Sequence, residues 1–177
     1  MIQVIILNGG SSSGKTSIAT SLQDILPDSW LRLGVDTLVD ALPRRLLTED
    51  TGLEFGDDGS VRPGSEFQRL ESAWMRGIAA MARAGARIIY DDVFLSGADA
   101  RDRWRAALAD VAVLWVGVRC DPAVAAAREQ ARGDRVPGMA QLQAQTVHLG
   151  IVYDIDVDTT EMSAEACAQL IAQRVGE

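Results

Sequence analysis

Gly9-Gly10-Ser11-Ser12-Ser13-Gly14-Lys15-Thr16 fits the spacing Gly-x4-Gly-Lys-[Ser/Thr], and each fixed position has a task in holding a triphosphate. The glycines let the backbone curl so that successive N–H groups point inward at phosphate oxygens. A helix expected to begin near Lys15 adds its positive dipole end. Lys15 reaches the outer phosphates, and the Thr16 hydroxyl is placed to ligate a Mg²⁺ ion that bridges phosphate oxygens and offsets charge. Ser17 follows in the first helical turn and completes the expected nucleotide-binding set. A Gly/Ser-rich loop can be a mere turn. Here an apolar strand precedes it and an amphipathic helix follows, which is the context a phosphate loop requires.

Two carboxylates, Asp91 and Asp92, end the apolar run Arg87-Ile88-Ile89-Tyr90, at the strand end where open α/β sheets bind ligands. One of them is expected to accept from Thr16 or to hold a water on Mg²⁺; the bland alternative is a helix N-cap or turn. Adjacent strand residues point to opposite faces, so sequence leaves open which one does so. Our assignment puts Asp91 with Thr16 at the metal, directly or through water, and Asp92 with Val93 and Phe94 on the acceptor side.

The single imidazole, His148, lies in a helical stretch near Gly150, where an interaction with the helix C-terminus is its expected role. A hydroxyl acceptor then needs a carboxylate to orient it and take its proton, and Asp36, at the end of the second strand, is the candidate. It is also a favoured N-cap for a short helix over Thr37 to Leu42, and one residue can serve both purposes. Asp40 reads as a solvated helix residue. Arg128, Arg132 and Arg135 recur at helical spacing, so their guanidinium groups can close over the nucleotide and stabilise charge on the transferred phosphoryl group. Gly133 and Gly138 would let that segment, residues 122–138, move as a lid. Against this stands a solvated face paired with Glu129 or Asp134.

The elements that must position these groups read as βα alternation. Apolar segments at Gln3 to Leu7, Trp30 to Val35, Arg87 to Asp91, Val111 to Val118 and Val152 to Val157 are separated by helix-period stretches, which predicts an α/β fold with a mostly parallel sheet. The first helix carries Ile18, Leu22, Ile25 and Leu26 on one face and stops before Pro27. The longest shows Phe67, Leu70, Trp74, Ile78 and Met81 at helical spacing, with Gly85 as its stop. Asp121-Pro122 opens a helix to about Gly133; others are expected over Gly138 to His148 and Ser163 to Arg174. Residues 43–65 break this pattern. Leu53 to Phe55 and Ser60 to Arg62 are expected to pair across Asp57-Asp58-Gly59 as a hairpin-like insert on the acceptor side.

With 177 residues and 47% hydrophobic composition, a single domain with one core is the expectation. A net charge of −8 repels polyphosphate backbones and argues against a nucleic-acid partner. No apolar run is long enough to span a bilayer, so a soluble, cytoplasmic protein without a membrane partner is expected. Cys120 and Cys167 are two thiols far apart, with neither disulfide-framework nor metal-ligand spacing. The oligomeric state stays open, a homo-oligomer included.

The chain resembles the chloramphenicol phosphotransferases over nearly its whole length. The resemblance is carried by Ile5-Ile6-Leu7-Asn8-Gly9-Gly10-Ser11-Ser12, Gly34-Val35-Asp36, Met81 to Ile89, Asp91-Asp92-Val93-Phe94-Leu95, Val113 to Asp121, Ala131 to Val136, and Tyr153-Asp154 through Asp158-Thr159-Thr160. It implies a three-layer P-loop NTPase fold of the nucleoside-kinase type, with a five-stranded parallel sheet of order 2-3-1-4-5. It also implies ATP and Mg²⁺ as cosubstrate and cofactor, and transfer to the primary 3-hydroxyl of chloramphenicol. In the family the aspartate after Gly-Val is the base, matching Asp36, and the arginine after Gly-Asp lies near the phosphates, matching Arg135. Thr16 stands where the family pattern has serine, which preserves the metal ligand.

The acceptor is the least legible part. An apolar wall of Val39, Leu42, Leu46, Phe55 and Phe67, with Val93 and Phe94 opposite, suits an aryl amide, although each is also an ordinary core residue. Arg44, Arg45 and Arg62 would instead serve a phosphorylated acceptor, so a kinase of a sugar or nucleoside is the alternative. A nucleotide-binding switch is a third reading, without the Asn-Lys-x-Asp motif expected of a GTPase.

Overall fold

The computed structural model describes residues 1–56, 58–132 and 138–176. β1 (Val4–Asn8) is buried at every position, because it is the central strand and both of its faces are covered. Ile5 and Leu7 point into one core layer while Val4 and Ile6 point into the other, the period-2 alternation of a strand. α1 (Lys15–Ile25) follows the glycine loop and packs Ile18, Ala19 and Leu22 on the first layer; Ile25, expected on this face, is 45% exposed.

β2 (Trp30–Gly34) passes without a loop into α2 (Val35–Asp40), two residues earlier than the sequence predicts. A 3-10 turn (Arg44–Leu47) leads to the hairpin β3 (Leu53–Phe55) and β4 (Val61–Pro63). Its register, Leu53 with Pro63 and Phe55 with Val61, lies one residue beyond the expected pairing to Ser60–Arg62. The long helix α3 (Ser65–Arg83) buries Phe67, Met75, Ile78, Ala79 and Ala82. β5 (Arg87–Asp92) is followed by α4 (Ala98–Ala107), which periodicity did not reveal because only Ala100 and Trp104 of its ten residues are buried.

The chain continues with β6 (Val113–Arg119), α5 (Pro122–Arg132), α6 (Met139–Thr146), β7 (Ile155–Asp158) and α7 (Ala164–Gly176). β7 begins three residues later than predicted, since Asp154 ties its main chain and carboxylate to the backbone of Trp115 before the ladder starts. Strand order in the five-stranded sheet is β2-β5-β1-β6-β7, all parallel. Counting its own strands alone, that is 2-3-1-4-5, as expected. α1 and α7 cover one face and α3 and α4 the other. A third apolar cluster of Leu38, Leu42, Leu46, Leu53 and Phe67 sits under the hairpin. From β1 the chain crosses to β2 on the β5 side, and from β5 it crosses over β1 to β6 on the other, so a crevice opens at the carboxyl ends of these strands. Among the described residues no helix is long and apolar enough to cross a membrane.

Candidate active site

The phosphate loop leaves β1 at Asn8, whose side chain is wholly buried because its hydrogen bonds are all met inside the protein. Its Nδ2 donates to the Val147 carbonyl (2.9 Å) and the Tyr153 hydroxyl (2.6 Å), and its Oδ1 accepts from Phe94 N–H (2.9 Å). The Tyr153 hydroxyl, which accepts from Asn8, also lies within hydrogen-bond distance of His148 Nδ1, at 2.9 Å. Burial, aided by the Arg119 charge, lowers the His148 pKa to about 4, so the ring is neutral at ordinary pH. The helix-terminus role expected for His148 gives way to this tyrosine contact.

Ser12 and Gly14 both have left-handed backbone, φ 56° and 88°, and this curl turns the loop amides inward before α1 begins at Lys15. Gly9 leaves no room for a Cβ, lying against the Val118 carbonyl and the Ser13 hydroxyl, and at Gly10 a Cβ would crowd Gln143 and Ala144. Lys15 is only 8% exposed, and its ammonium donates to the carbonyls of Gly9 (2.9 Å) and Gly10 (2.8 Å). The buried hydroxyls of Ser12 and Ser13 have no partner among the described residues. Polar groups buried without partners in a cationic loop are the demand that phosphate oxygens meet.

β5 separates the two carboxylates by its pleat. Asp91 Oδ2 accepts from the Thr16 hydroxyl at 2.9 Å. Asp92 turns away, 5% exposed, and accepts from Trp104 Nε1 (2.6 Å) and Val93 N–H (2.7 Å). Desolvation pushes its carboxyl up to about 7 against the pull of those two donors. Asp92 therefore fixes Trp104 and the turn that carries Val93 and Phe94. It lines the cleft on the acceptor side, where it is expected, with one hydrogen bond on each oxygen. Thr16 and Asp91 form a hard-oxygen pair at the loop mouth, the donor chemistry Mg²⁺ takes from protein when phosphates and waters complete its shell. Among the described residues no group of three His, Cys, Asp or Glu could hold a metal by itself.

A cleft of about 840 Å³ runs from Ser11–Ser17 past Val35, Asp36 and Val39 to the hairpin. Gly34, not Asp36, caps α2, and the Gly34 N–H donates to the Thr37 hydroxyl at 3.2 Å. Asp36 lies in the first turn, exposed to the cleft. Val39, Phe55, Phe67, Val93 and Phe94 line it. Leu42 and Leu46 do not: they are buried in the cluster beneath the hairpin with Leu38 and Leu53, so their expected place in the acceptor wall is corrected. Glu71 of α3 and Arg103 of α4 also face the cleft and pair at 3.2 Å, a contact hidden from sequence because α4 was not legible.

On the nucleotide side Arg128 and Arg132 line the cleft, while Arg135 and the proposed Gly133 hinge lie outside the described residues. Arg128 is anchored, donating to Thr159 Oγ1 (3.1 Å) and the Thr159 carbonyl (2.7 Å). Thr159 Oγ1 in turn donates to the Ser13 carbonyl at 2.8 Å, joining α5, the segment after β7 and the phosphate loop. Glu129, expected as a surface ion-pair partner, is 4% exposed and accepts from the N–H groups of Gly138 (2.9 Å) and Ala140 (2.8 Å) at the start of α6.

A phosphate loop of this spacing at the crossover of a 2-3-1-4-5 parallel sheet defines the class: a P-loop kinase, transferring a phosphoryl group from a nucleotide to a small acceptor. The model of the chloramphenicol phosphotransferase-like proteins matches residues 2–176, and the chain belongs to that family of ATP-dependent phosphotransferases. A Mycobacterium tuberculosis protein provisionally named an O-phosphotransferase is 34% identical over 172 residues, covering 89% of this chain and 75% of the relative. The fold is shared with an unliganded sugar kinase from Janibacter sp. HTCC2649 (TM-score 0.69, 18% identity, 99% of this chain and 95% of that one). It is likewise shared with the APS kinase of Mycobacterium tuberculosis in complex with AMPPNP and APS (TM-score 0.65, 16% identity, 99% and 98% coverage).

Proposed function

We propose that this enzyme phosphorylates the hydroxyl of an uncharged, partly aromatic alcohol, with the primary 3-hydroxyl of chloramphenicol as the leading acceptor and antibiotic inactivation as the outcome. The observation that carries the reading is the continuity of one cleft from Lys15 and Thr16, past Asp36, to an apolar wall of Val39, Phe55, Phe67, Val93 and Phe94. Asp36 orients the acceptor hydroxyl and takes its proton as the phosphoryl group leaves ATP. Lys15 and the loop amides hold the outer phosphates; Arg132 and Arg135 close over them and stabilise charge on the transferred group. Thr16 and Asp91, the latter directly or through water, would hold Mg²⁺, whose charge offsets that of the phosphates.

Of the arginines that would favour a phosphorylated acceptor, Arg62 lines the cleft, whereas Arg44 and Arg45 do not. Arg45 is bound at 2.7 Å to Glu66 and Arg103 is paired with Glu71, while Asp36 and Asp91 face the same cleft as Arg62. That balance favours a neutral acceptor. The polar stretch of Gln68, Glu71, Ser96 and Arg103 along the cleft supports a second reading, a hydroxyl-rich sugar or nucleoside. Mass spectrometry of chloramphenicol incubated with the enzyme, ATP and Mg²⁺ separates the two. Gain of one phosphoryl group on the primary alcohol is expected; turnover of sugars or nucleosides with none of chloramphenicol would overturn the reading.

A further inference from the structure

Gln143 stands near the middle of α6. It is 5% exposed, yet it lines the cleft beside the phosphate loop. Its Oε1 accepts from the Ser11 N–H at 2.7 Å, and its Cβ packs closely against Gly10. With the oxygen on an N–H donor, the other end of the amide must be the NH2 group. Among the described residues that NH2 makes no hydrogen bond, and it is not among the fully enclosed partnerless atoms, so it faces the cleft. An amide pinned at its oxygen, with its NH2 open to the cleft, presents a fixed donor to whatever occupies the cleft.

Its placement is secured from two sides. Glu129 of α5 fixes the first residues of α6 through Gly138 and Ala140. Met139, Ala140 and Gln143 share the buried face of the helix, one turn apart. Gln143 thus connects the α5–α6 helix pair to the mouth of the phosphate loop.

We propose that Gln143 is a nucleotide-recognition residue whose amide NH2 donates to an oxygen of the outermost phosphate, so that the enzyme tells the triphosphate donor from the diphosphate product. The inference rests on the nucleotide-binding part of the proposed function and is independent of the acceptor.

Gln143→Glu tests it, because a carboxylate still accepts from Ser11 N–H but replaces the donor with a negative oxygen. Calorimetry with AMPPNP and with ADP, both with Mg²⁺, is the readout. Affinity for AMPPNP should fall by roughly 10- to 100-fold, the loss of a hydrogen bond to a charged group, while ADP affinity changes by less than about threefold. Gln143→Met, which removes the donor without adding charge but also takes the acceptor from Ser11 N–H, should weaken both nucleotides yet still shift the same ratio by about tenfold, and serves if the glutamate variant does not fold. An unchanged AMPPNP-to-ADP ratio, or equal loss of both nucleotides, overturns the proposal and leaves Gln143 a loop support. A change confined to the acceptor KM overturns it as well. Failure of the wild-type enzyme to bind either nucleotide would instead sink the nucleotide reading itself.

Discussion

Gly34 and Asp91 are partners across β2 and β5, and the Asp91 carboxylate occupies the space a Cβ on Gly34 would need. The Gly34 backbone is extended, with φ −165°, so any residue could adopt it. Glycine is required there for room, and that room lets Asp91 reach the Thr16 hydroxyl. Gly34→Ala should displace Asp91 and lower turnover by about 10²-fold, the scale of a 1 Å misplacement near reacting groups. The crowding should cost about 1–3 kcal/mol of stability. ADP release at varied Mg²⁺, alongside a denaturant melt, checks both; unaltered turnover would remove Asp91 from the metal-side role.

Asp36 faces the cleft from the first turn of α2 without serving as its cap. Asp36→Asn should therefore leave the helix and nucleotide binding intact while turnover falls by about 10²- to 10⁴-fold, the usual worth of a general base. Acceptor-dependent ADP release and ADP calorimetry on the same preparation measure the two effects. A variant retaining most activity excludes Asp36 as the base.

Asp92 titrates at about 7 in the folded chain against a reference of 3.8, mainly because it is buried. The folded state then binds more protons than the unfolded one between these values, so the sign of the linkage is negative with pH. Its contribution to stability should decline as pH rises from about 4 to about 7 and stay constant above. In Asp92→Asn that slope should vanish. One N–H donor, from Val93 or Trp104, loses its acceptor there, at a cost of about 1–3 kcal/mol. Denaturant melts of both proteins across this pH range decide the point. Burial of His148, with pKa lowered to about 4, acts oppositely between 4 and 6.5, so the comparison must be between variant and wild type at each pH.

Thr159 connects the Ser13 carbonyl to Arg128. Thr159→Val removes the hydroxyl at nearly constant volume and should raise the ATP KM by roughly tenfold, equivalent to one buried hydrogen bond. Thr159→Ser should restore it. If serine fails to rescue, the effect comes from packing against Gly14.

Much of this protein is readable in the chain itself, where the signal is local. The spacing from Gly9 to Thr16, the apolar run before it and the amphipathic stretch after it prescribe a phosphate loop, because backbone curvature and helix start depend on neighbouring residues. The parallel sheet follows from five apolar runs alternating with helical periods. α4 escaped this reading because its single large buried residue, Trp104, makes no periodic pattern.

What required the tertiary structure are the contacts between residues distant in sequence. Adjacent aspartates 91 and 92 look alike in sequence; β5 pleating and the positions of Thr16 and Trp104 give them opposite environments. Leu42 and Phe55 are equally apolar, and only the folding of the hairpin over α3 buries one and turns the other to the cleft. The approach of Gln143 to Ser11, 132 residues apart, exists only because α6 packs against the loop, which no local propensity encodes.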